Sequence, residues 1–486
     1  MKLQFSTSPI STASSDYIAL PVFENASNEA FKDVLKDEAI NNFLKNNPKF
    51  GKLYETQALF TKDKKYLLVG VGKKEEVNFG KLQNFAGTVA KSLLTKANSL
   101  SLLLPRLDSL NAEKVGEAVS IGIELASYNP AAEFKSEKEK VTLTSVQLVV
   151  EKAERGYQEG LKKGVILAES INSSRKLADL PANIMTPTYF LDEVKKVAKE
   201  LKLKATVLAE AQAKRKGMGA FIAVAAGSDI PSYMIALEYL GNPRSKEKWA
   251  FVGKGVTFDS GGLYMKPAPH MNEMKYDMSG AANVLGTIRS IVRLGLKVNA
   301  VGIMAVTENM IHANAMKPGD IVKSYSGKTI EILHTDAEGR VILIDAVTYA
   351  QKDFKATKIV DMATLTGAML VALSNVYTGV FPNKPEFGNQ LTEAGKAVGE
   401  NFWSMPMTSE FDEMIKGDFA DIINTGKPDR EAGSIVGAKF IEQGLTGDIP
   451  WMHLDIAGTA WDTKPKPFRF IGATGVGIKT LVELVC

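Results

Sequence analysis

Cysteine is almost missing from this chain: the one present is Cys486, the last residue. No intrachain disulfide can form, a buried catalytic thiol is disfavoured, and a reducing compartment fits. Histidine is nearly as scarce. His270, His312, His334 and His453 are the full set, with no HExxH pair among them. The usual histidine-rich zinc sites are therefore excluded, and any bound metal would need carboxylates. Charge of one sign is missing too, since 59 Lys and Arg against 55 Asp and Glu leave only +4. That is too little over this length to imply nucleic acid or acidic lipid as the main partner. No segment reaches the roughly 18 apolar residues of a membrane span. The start, MKLQFSTSPISTASSDYIAL, has one lysine but no apolar signal-peptide core after it, so the expected location is cytoplasmic with no membrane partner. Neither a P-loop nor a G-x-S-x-G elbow occurs, which removes two common enzyme classes. Solenoid-period repeats and low-complexity tracts are absent as well.

What remains is an ordinary globular composition. The 486 residues are 45% hydrophobic and 23% charged with 19 prolines, which suggests about two or three domains. In the first third, DYIALPVF, KYLLVGVG, SLSLLLP and VTLTSVQLVV read as strands, while Asn78 to Ala97 and Ala112 to Tyr128 carry helical spacing. A long amphipathic stretch from Glu154 to about Leu180 ends at the breaker Pro181. Strands are then expected at KATVLA, FIAVAAG, WAFVGK, VNAVGIMAV, ATKIVDMATL and MHLDIAG, with a helix over Gly280 to Leu294. The alternation predicts an α/β protein of two domains: a smaller N-terminal α/β domain over 1–153, a connecting helix over 154–180, and a larger C-terminal catalytic domain over 181–486. The latter should have a central, mostly parallel mixed sheet flanked by helices, with function at the strand carboxyl ends.

Unusual residues concentrate in two places, FVGKGVTFDSGGLYMKPAPHMNEMKYDMSGAAN at 251–283 and HTDAEGR at 334–340. The apolar run WAFV stops at Gly253, which places the Lys254 amine at an expected strand end beside glycines that let backbone approach closely. Asp259, Lys266 and Asp277 follow, the last just before a helix start at SGAAN. Asp336 and Glu338 are two apart, so in extended backbone both point to one side and suit one cation or two adjacent ones. Carboxylates gathered in one crevice would repel and partly protonate, whereas two divalent cations reverse that logic. Taken alone, each feature has a plainer reading. A DAEGR turn is more often a solvated loop with an Asp to Arg pair, and a strand-end lysine is often a surface residue lying along apolar neighbours.

The combination VGKGVTFDSGG, KYDMSGAA and HTDAEGR resembles the M17 leucyl aminopeptidase (cytosol aminopeptidase) family, whose signature is usually written NTDAEGR. LADLPANIMTP, GMGAFIAVAAGSD, DMATLTGA and HLDIAGTAW extend the resemblance over essentially everything after about residue 170. The resemblance implies two divalent metal ions per subunit, Mn²⁺ or Zn²⁺ and alternatively Mg²⁺ or Co²⁺. Lys254, Asp259, Asp277 and Glu338 would hold one, and Asp259, Asp336 and Glu338 the other. A lysine ligand must be neutral, which requires the dications and burial to depress its pKa. The implied nucleophile is a water or hydroxide between the metals. Lys266 would stabilise the oxyanion, a role worth on the order of 3 kcal/mol. Arg340 would hold a bicarbonate ion as general base, with Leu365 at the same site. Met274, Thr364, Leu365 and Gly367 match positions near the substrate, although a core methionine filling a gap describes Met274 equally well.

Three departures stand out. His334 replaces the usual Asn, as a hydrogen-bond donor to the metal-binding turn, a metal neighbour or a substitution of size alone. Val341 and Ile344 replace the more common Leu and Ala, changes that look like repacking. The expected activity is release of N-terminal residues, Leu-like ones favoured, from peptide substrates. Two alternatives remain: a DNA-binding accessory or regulatory protein, which the charge does not support, and a narrow dipeptidase such as one acting on cysteinylglycine. The resemblance also implies a homo-hexamer built as a dimer of trimers.

Overall fold

The computed structural model describes residues 1–24, 37–428 and 431–486. The chain falls into two compact units: Met1–Asn172 with Thr463–Ile471, and Ser173–Asp462 with Gly472–Cys486. The first of the three boundaries falls within the helix Arg155–Asp179.

The first unit is built on a six-stranded sheet in the order Lys2–Ser6, Ser145–Val149, Ser99–Leu103, Tyr17–Phe23, Lys65–Gly72, Thr56–Phe60. All pairings are parallel except the edge pair Thr56–Phe60 with Lys65–Gly72. Helices Phe79–Leu93 and Ala112–Ala126 start where expected, because Asn78 and Asn111 accept hydrogen bonds from the N–H groups of Lys81 and Lys114, satisfying otherwise orphaned donors. Their backbones pack very closely: a Cβ on Gly122 would lie 2.0 Å from the Gln83 carbonyl oxygen, which only glycine avoids.

The second unit carries an eight-stranded mixed sheet in the order Phe402–Ser404, Thr378–Pro382, Trp451–Asp455, Lys358–Ala363, Trp249–Asp259, Asn299–Asn309, Tyr233–Leu240, Lys204–Ala209. Its centre is parallel: Trp249–Asp259 lies between Lys358–Ala363 and Asn299–Asn309, and Trp451–Asp455 continues the run. Antiparallel pairs appear toward both edges. Central strands buried on both faces read as unbroken apolar runs, as AVGIMAV does. Helices Ser279–Arg293 and Glu338–Lys352 cover the sheet, and nearly all of the latter is buried.

One expectation fails here. FIAVAAG is not a strand but part of the helix Gly219–Ala225. Its place in the sheet is taken by Tyr233–Leu240, which pairs antiparallel with Asn299–Asn309 through eight residues. Short apolar runs leave helix and strand ambiguous, and tertiary contacts decide. Here the helix start is fixed from outside: the Asp345 carboxylate accepts the Phe221 N–H at 2.9 Å and the Tyr325 N–H at 2.7 Å.

Candidate metal centre

Lys254 and Asp259 both belong to the central strand Trp249–Asp259. The strand does not stop at Gly253, as the apolar run suggested. It continues to Asp259 because Lys254, though charged, is buried among carboxylates rather than turned to water. Gly253 is needed for layer packing, since a Cβ there would lie 2.6 Å from the backbone of Gly280 and Ala281 at the start of helix Ser279–Arg293. After Asp259 the chain turns through Gly261 and Gly262 at φ +88° and +63°, which returns Lys266 toward the same point. Asp277 closes the 3-10 helix Met271–Met278, immediately before helix Ser279–Arg293.

Asp336 and Glu338 converge for a different reason from the one expected. They do not share one face of extended backbone: Glu338 is the first residue of helix Glu338–Lys352, and a turn carries Asp336. Thr335, fully buried, pins that turn by donating to Gly261 O at 2.7 Å and accepting the Tyr264 N–H at 2.8 Å. Asn309 adds a second tie, donating to Asp259 Oδ1 at 2.8 Å and to Thr335 O at 3.1 Å.

The five expected metal ligands come together. Lys254 Nζ stands 2.8 Å from Asp277 Oδ2 and 2.8 Å from Glu338 Oε1, and donates to Thr364 O at 3.0 Å. Lys266 Nζ stands 2.7 Å from Asp259 Oδ2 and 2.5 Å from Asp336 Oδ1. Asp259, Asp336 and Glu338 each offer an oxygen within 4.8 Å of the others, a grouping suited to a cation. All but Asp336 and Lys266 are buried, and those two are half-buried.

Burial of so many acids is electrostatically costly. Desolvation, with the charge of Asp259, pushes Glu338 up to about 7 despite the two lysines. Asp277 and Asp336 are likewise driven above the ordinary carboxylate range, by burial first. Burial alone would lower both lysines. The surrounding carboxylates outweigh it, so Lys254 and Lys266 are held firmly as ammonium ions. The donor set fits a cation. Glu338 Oε2 is buried and accepts no hydrogen bond, while Glu338 Oε1, Asp277 Oδ2 and Asp336 Oδ1 meet only a lysine ammonium at their ion-pair distances. Oxygens with free lone pairs in a nearly dry site are what a hard or borderline dication requires.

Arg340 lies one helical position beyond Gly339 and is buried; its guanidinium donates from Nη1 to Asn424 O at 3.1 Å, and its Nε has no hydrogen-bond partner. Burial lowers its pKa to about 10, against the charges of Glu338 and Asp455. Among the described residues that buried Nε is an N–H donor without an acceptor. Thr364 is buried and donates to Asp277 Oδ1 at 2.7 Å. Leu365 is half-buried, with its N–H donated to Asp455 Oδ1 at 3.2 Å. Gly367 is exposed with open space around it, and Met274 is half-buried rather than a core residue. His334 stacks on Tyr264 with ring centroids 4.2 Å apart. Its Nδ1 accepts the Asp336 N–H at 3.3 Å.

Sequence reading missed Thr335, Asn309, Asn424 and Asp455. Asn309 left a faint trace, as a polar residue ending an otherwise buried strand and in register with Asp259. Asp455 accepts the Thr366 hydroxyl at 2.6 Å and so fixes the loop after strand Lys358–Ala363.

Comparison with known proteins gives a family and a fold. The cytosol aminopeptidase family matches through its catalytic domain over residues 172–482 and through its N-terminal domain over residues 19–138. A probable cytosol aminopeptidase of Bordetella petrii is 40% identical over 479 residues, covering 96% of this chain and 93% of that protein. Among solved structures, a mutant of tomato leucine aminopeptidase superposes with a TM-score of 0.89 at 33% identity, covering all of this chain and 96% of that one. The bottromycin maturation enzyme BotP in complex with Mn superposes with a TM-score of 0.87 at 28% identity, covering 97% and 99% of the two chains.

Proposed function

The chain belongs to the cytosol aminopeptidase family, and from that premise we propose that it is a di-metal leucyl aminopeptidase. It releases N-terminal residues, Leu-like ones preferred, from peptides. The observation that carries this reading is the meeting of buried Lys254, Asp259, Asp277 and Glu338 with half-buried Asp336, a Glu338 oxygen being left without a hydrogen bond among the described residues. Lys254, Asp259, Asp277 and Glu338 would hold one divalent ion, and Asp259, Asp336 and Glu338 the second. Manganese and zinc are the first choices, with magnesium and cobalt as alternatives. Two such ions would supply Lewis acidity at the scissile carbonyl and a water acidified to near neutrality.

The chain's own residues do the rest. Lys254 serves as a ligand only as the neutral amine, so its proton must leave as metal enters. Thr364 orients Asp277 through its hydroxyl. Lys266, reached by solvent and close to Asp259 and Asp336, keeps its charge and stabilises the oxyanion of the tetrahedral intermediate. Arg340 and Leu365 would hold a bicarbonate ion, which would supply a general base; the unpartnered Arg340 Nε is a donor suited to an anion. Met274, Thr364, Leu365 and Gly367 shape the pocket for the first side chain. A homo-hexamer in the cytoplasm completes the proposal. Exposed Leu370, Val371, Val376, Tyr377 and Trp403 support self-association, and among the described residues no helix is long and apolar enough to cross a membrane.

The test is hydrolysis of a leucyl anilide by the purified protein before and after chelation, with manganese or zinc restored and the N-acetylated substrate alongside. Loss on chelation, recovery with metal and no cleavage of the acetylated substrate are expected. Undiminished activity after complete chelation, or cleavage of the acetylated compound, would sink the reading.

A further inference from the structure

Asn424 lies outside every motif that points to catalysis, yet its side chain is fully buried. It follows the short strand Ile422–Ile423, which pairs in parallel with Thr329–Glu331. Its Oδ1 accepts the N–H groups of Leu333 at 2.8 Å and His334 at 3.2 Å. Its Nδ2 donates to His334 O at 2.7 Å and Ala337 O at 3.4 Å. A side-chain amide has two donor hydrogens and two acceptor lone pairs, so its capacity is filled. All four contacts go to the backbone of the turn that delivers Asp336 and Glu338. Its own carbonyl accepts Arg340 Nη1 at 3.1 Å.

We propose that Asn424 is a positioning residue for the metal centre: it holds the backbone of 333–337 so that Asp336 and Glu338 stand in place before metal arrives, and it ties Arg340 to the same frame. The inference rests on reading the site as a metal centre. The strand Ile422–Ile423 has another side-chain attachment besides Asn424. Asp421 Oδ2 accepts the Thr329 N–H at 2.8 Å and hydroxyl at 2.9 Å, and Thr329 Oγ1 accepts the Asp421 N–H at 3.0 Å. Asn424 instead bonds backbone groups of a turn whose own backbone bond runs from the Ala337 N–H to His334 O at 3.2 Å. Without its amide, the Leu333 and His334 N–H groups lose the acceptor that holds them, His334 O keeps the Ala337 N–H at 3.2 Å, and the turn would shift to find water. Carboxylates at its end would move with it.

The test uses full-length protein and manganese ions, with affinity read by competition against a metal indicator. Asn424→Ala is expected to weaken manganese binding roughly tenfold to a hundredfold, the usual effect of losing a group that orients ligands. Asp421→Ala, which loosens the same strand without touching the turn, is expected to lower the melting temperature and leave manganese affinity unchanged. Wild-type affinity in Asn424→Ala, or an equal loss in Asp421→Ala, overturns the inference. A wild-type protein that takes up none of manganese, zinc, magnesium and cobalt overturns the metal-centre reading itself. Should Asn424→Ala fail to fold, amide exchange in the chelated wild-type protein decides. Slow exchange at Leu333 and His334 supports the inference, whereas fast exchange until manganese is added shows that metal, not Asn424, orders the turn.

Discussion

Gly339 sits between Glu338 and Arg340 in the first turn of helix Glu338–Lys352, and its missing side chain is the space that Lys254 occupies. A Cβ at this position would lie 2.7 Å from Lys254 Nζ and 2.8 Å from both Cδ and Cε. Ordinary carbon contacts begin at about 3.5 Å, so Gly339→Ala must displace the lysine by about 0.7 Å or more. A surface lysine would swing aside at little cost. Lys254 cannot, because its ammonium is held at 2.8 Å by both Asp277 and Glu338 and bonds Thr364 O. A misplacement approaching 1 Å at a reacting centre costs about a hundredfold in rate. The helix itself gains, since alanine is favoured over glycine in a helix interior by about 1 kcal/mol. Gly339→Ala is therefore expected to lose about two orders of magnitude in kcat/KM and to bind manganese more weakly, while melting without metal at a temperature no more than slightly changed. Leucyl anilide kinetics, a manganese titration and a melt of the chelated protein check the three parts. Near-wild-type kcat/KM and manganese affinity in a folded variant would refute the reasoning, because the space would then not be reserved for the lysine.

Two further substitutions probe separate parts of the molecule. Lys266→Ala is expected to lower kcat by about a hundredfold to a thousandfold with a smaller change in KM, as for loss of an oxyanion donor; a selective rise in KM would make Lys266 a ground-state binder instead. Asp345 tests the sign of a buried charge: desolvation raises its pKa from 3.8 to about 7, although the N–H groups of Phe221 and Tyr325 pull the other way. The folded state then holds a proton that the unfolded state has released, so this contribution is complete below the unfolded value and is lost as pH rises through about 7. It amounts to on the order of 4 kcal/mol at most. Asp345→Asn keeps one acceptor and adds an ill-placed donor, so the variant should be less stable than wild type at pH 5, with the gap narrowing toward pH 8. Parallel urea midpoints across that range would contradict the assignment.

The fold was legible wherever a strand is buried on both faces or a helix begins with its own cap. AVGIMAV and YLLVGVG are unbroken apolar runs because water reaches neither side of them, and Asn78 and Asn111 mark helix starts that the structure keeps. Local preference failed where it pointed the wrong way. FIAVA is rich in aromatic and β-branched residues that favour strands, yet it is helical. MIALEYL, with Met, Ala, Leu and Glu, resembles a helix former and is a strand. The sheet decides both cases, since Tyr233–Leu240 is held between Asn299–Asn309 and Lys204–Ala209.

The charged residues of the site were legible for a different reason. A lysine or carboxylate inside an apolar run is conspicuous because burying it is costly, and Lys254, Asp259, Asp336 and Glu338 all interrupt such runs. What makes them a site was not visible. Thr335 and Asn424 act through hydrogen bonds to backbone groups, as Asn309 does in part, and any residue can offer such groups, so nothing in the sequence of the receiving turn records the partner. Asn424 reaches Leu333 and His334 across about 90 residues of chain. His334 shows the same limit from the other side. Its substitution for the usual asparagine could be noticed, but not that the imidazole would stack on Tyr264 and accept the Asp336 N–H, because Tyr264 arrives only through the turn at Gly261 and Gly262. The spacing of acids thus announces where cations are wanted. The polar side chains that hold those acids apart, against their mutual repulsion, become evident only when strand ends and turns distant in sequence are brought side by side.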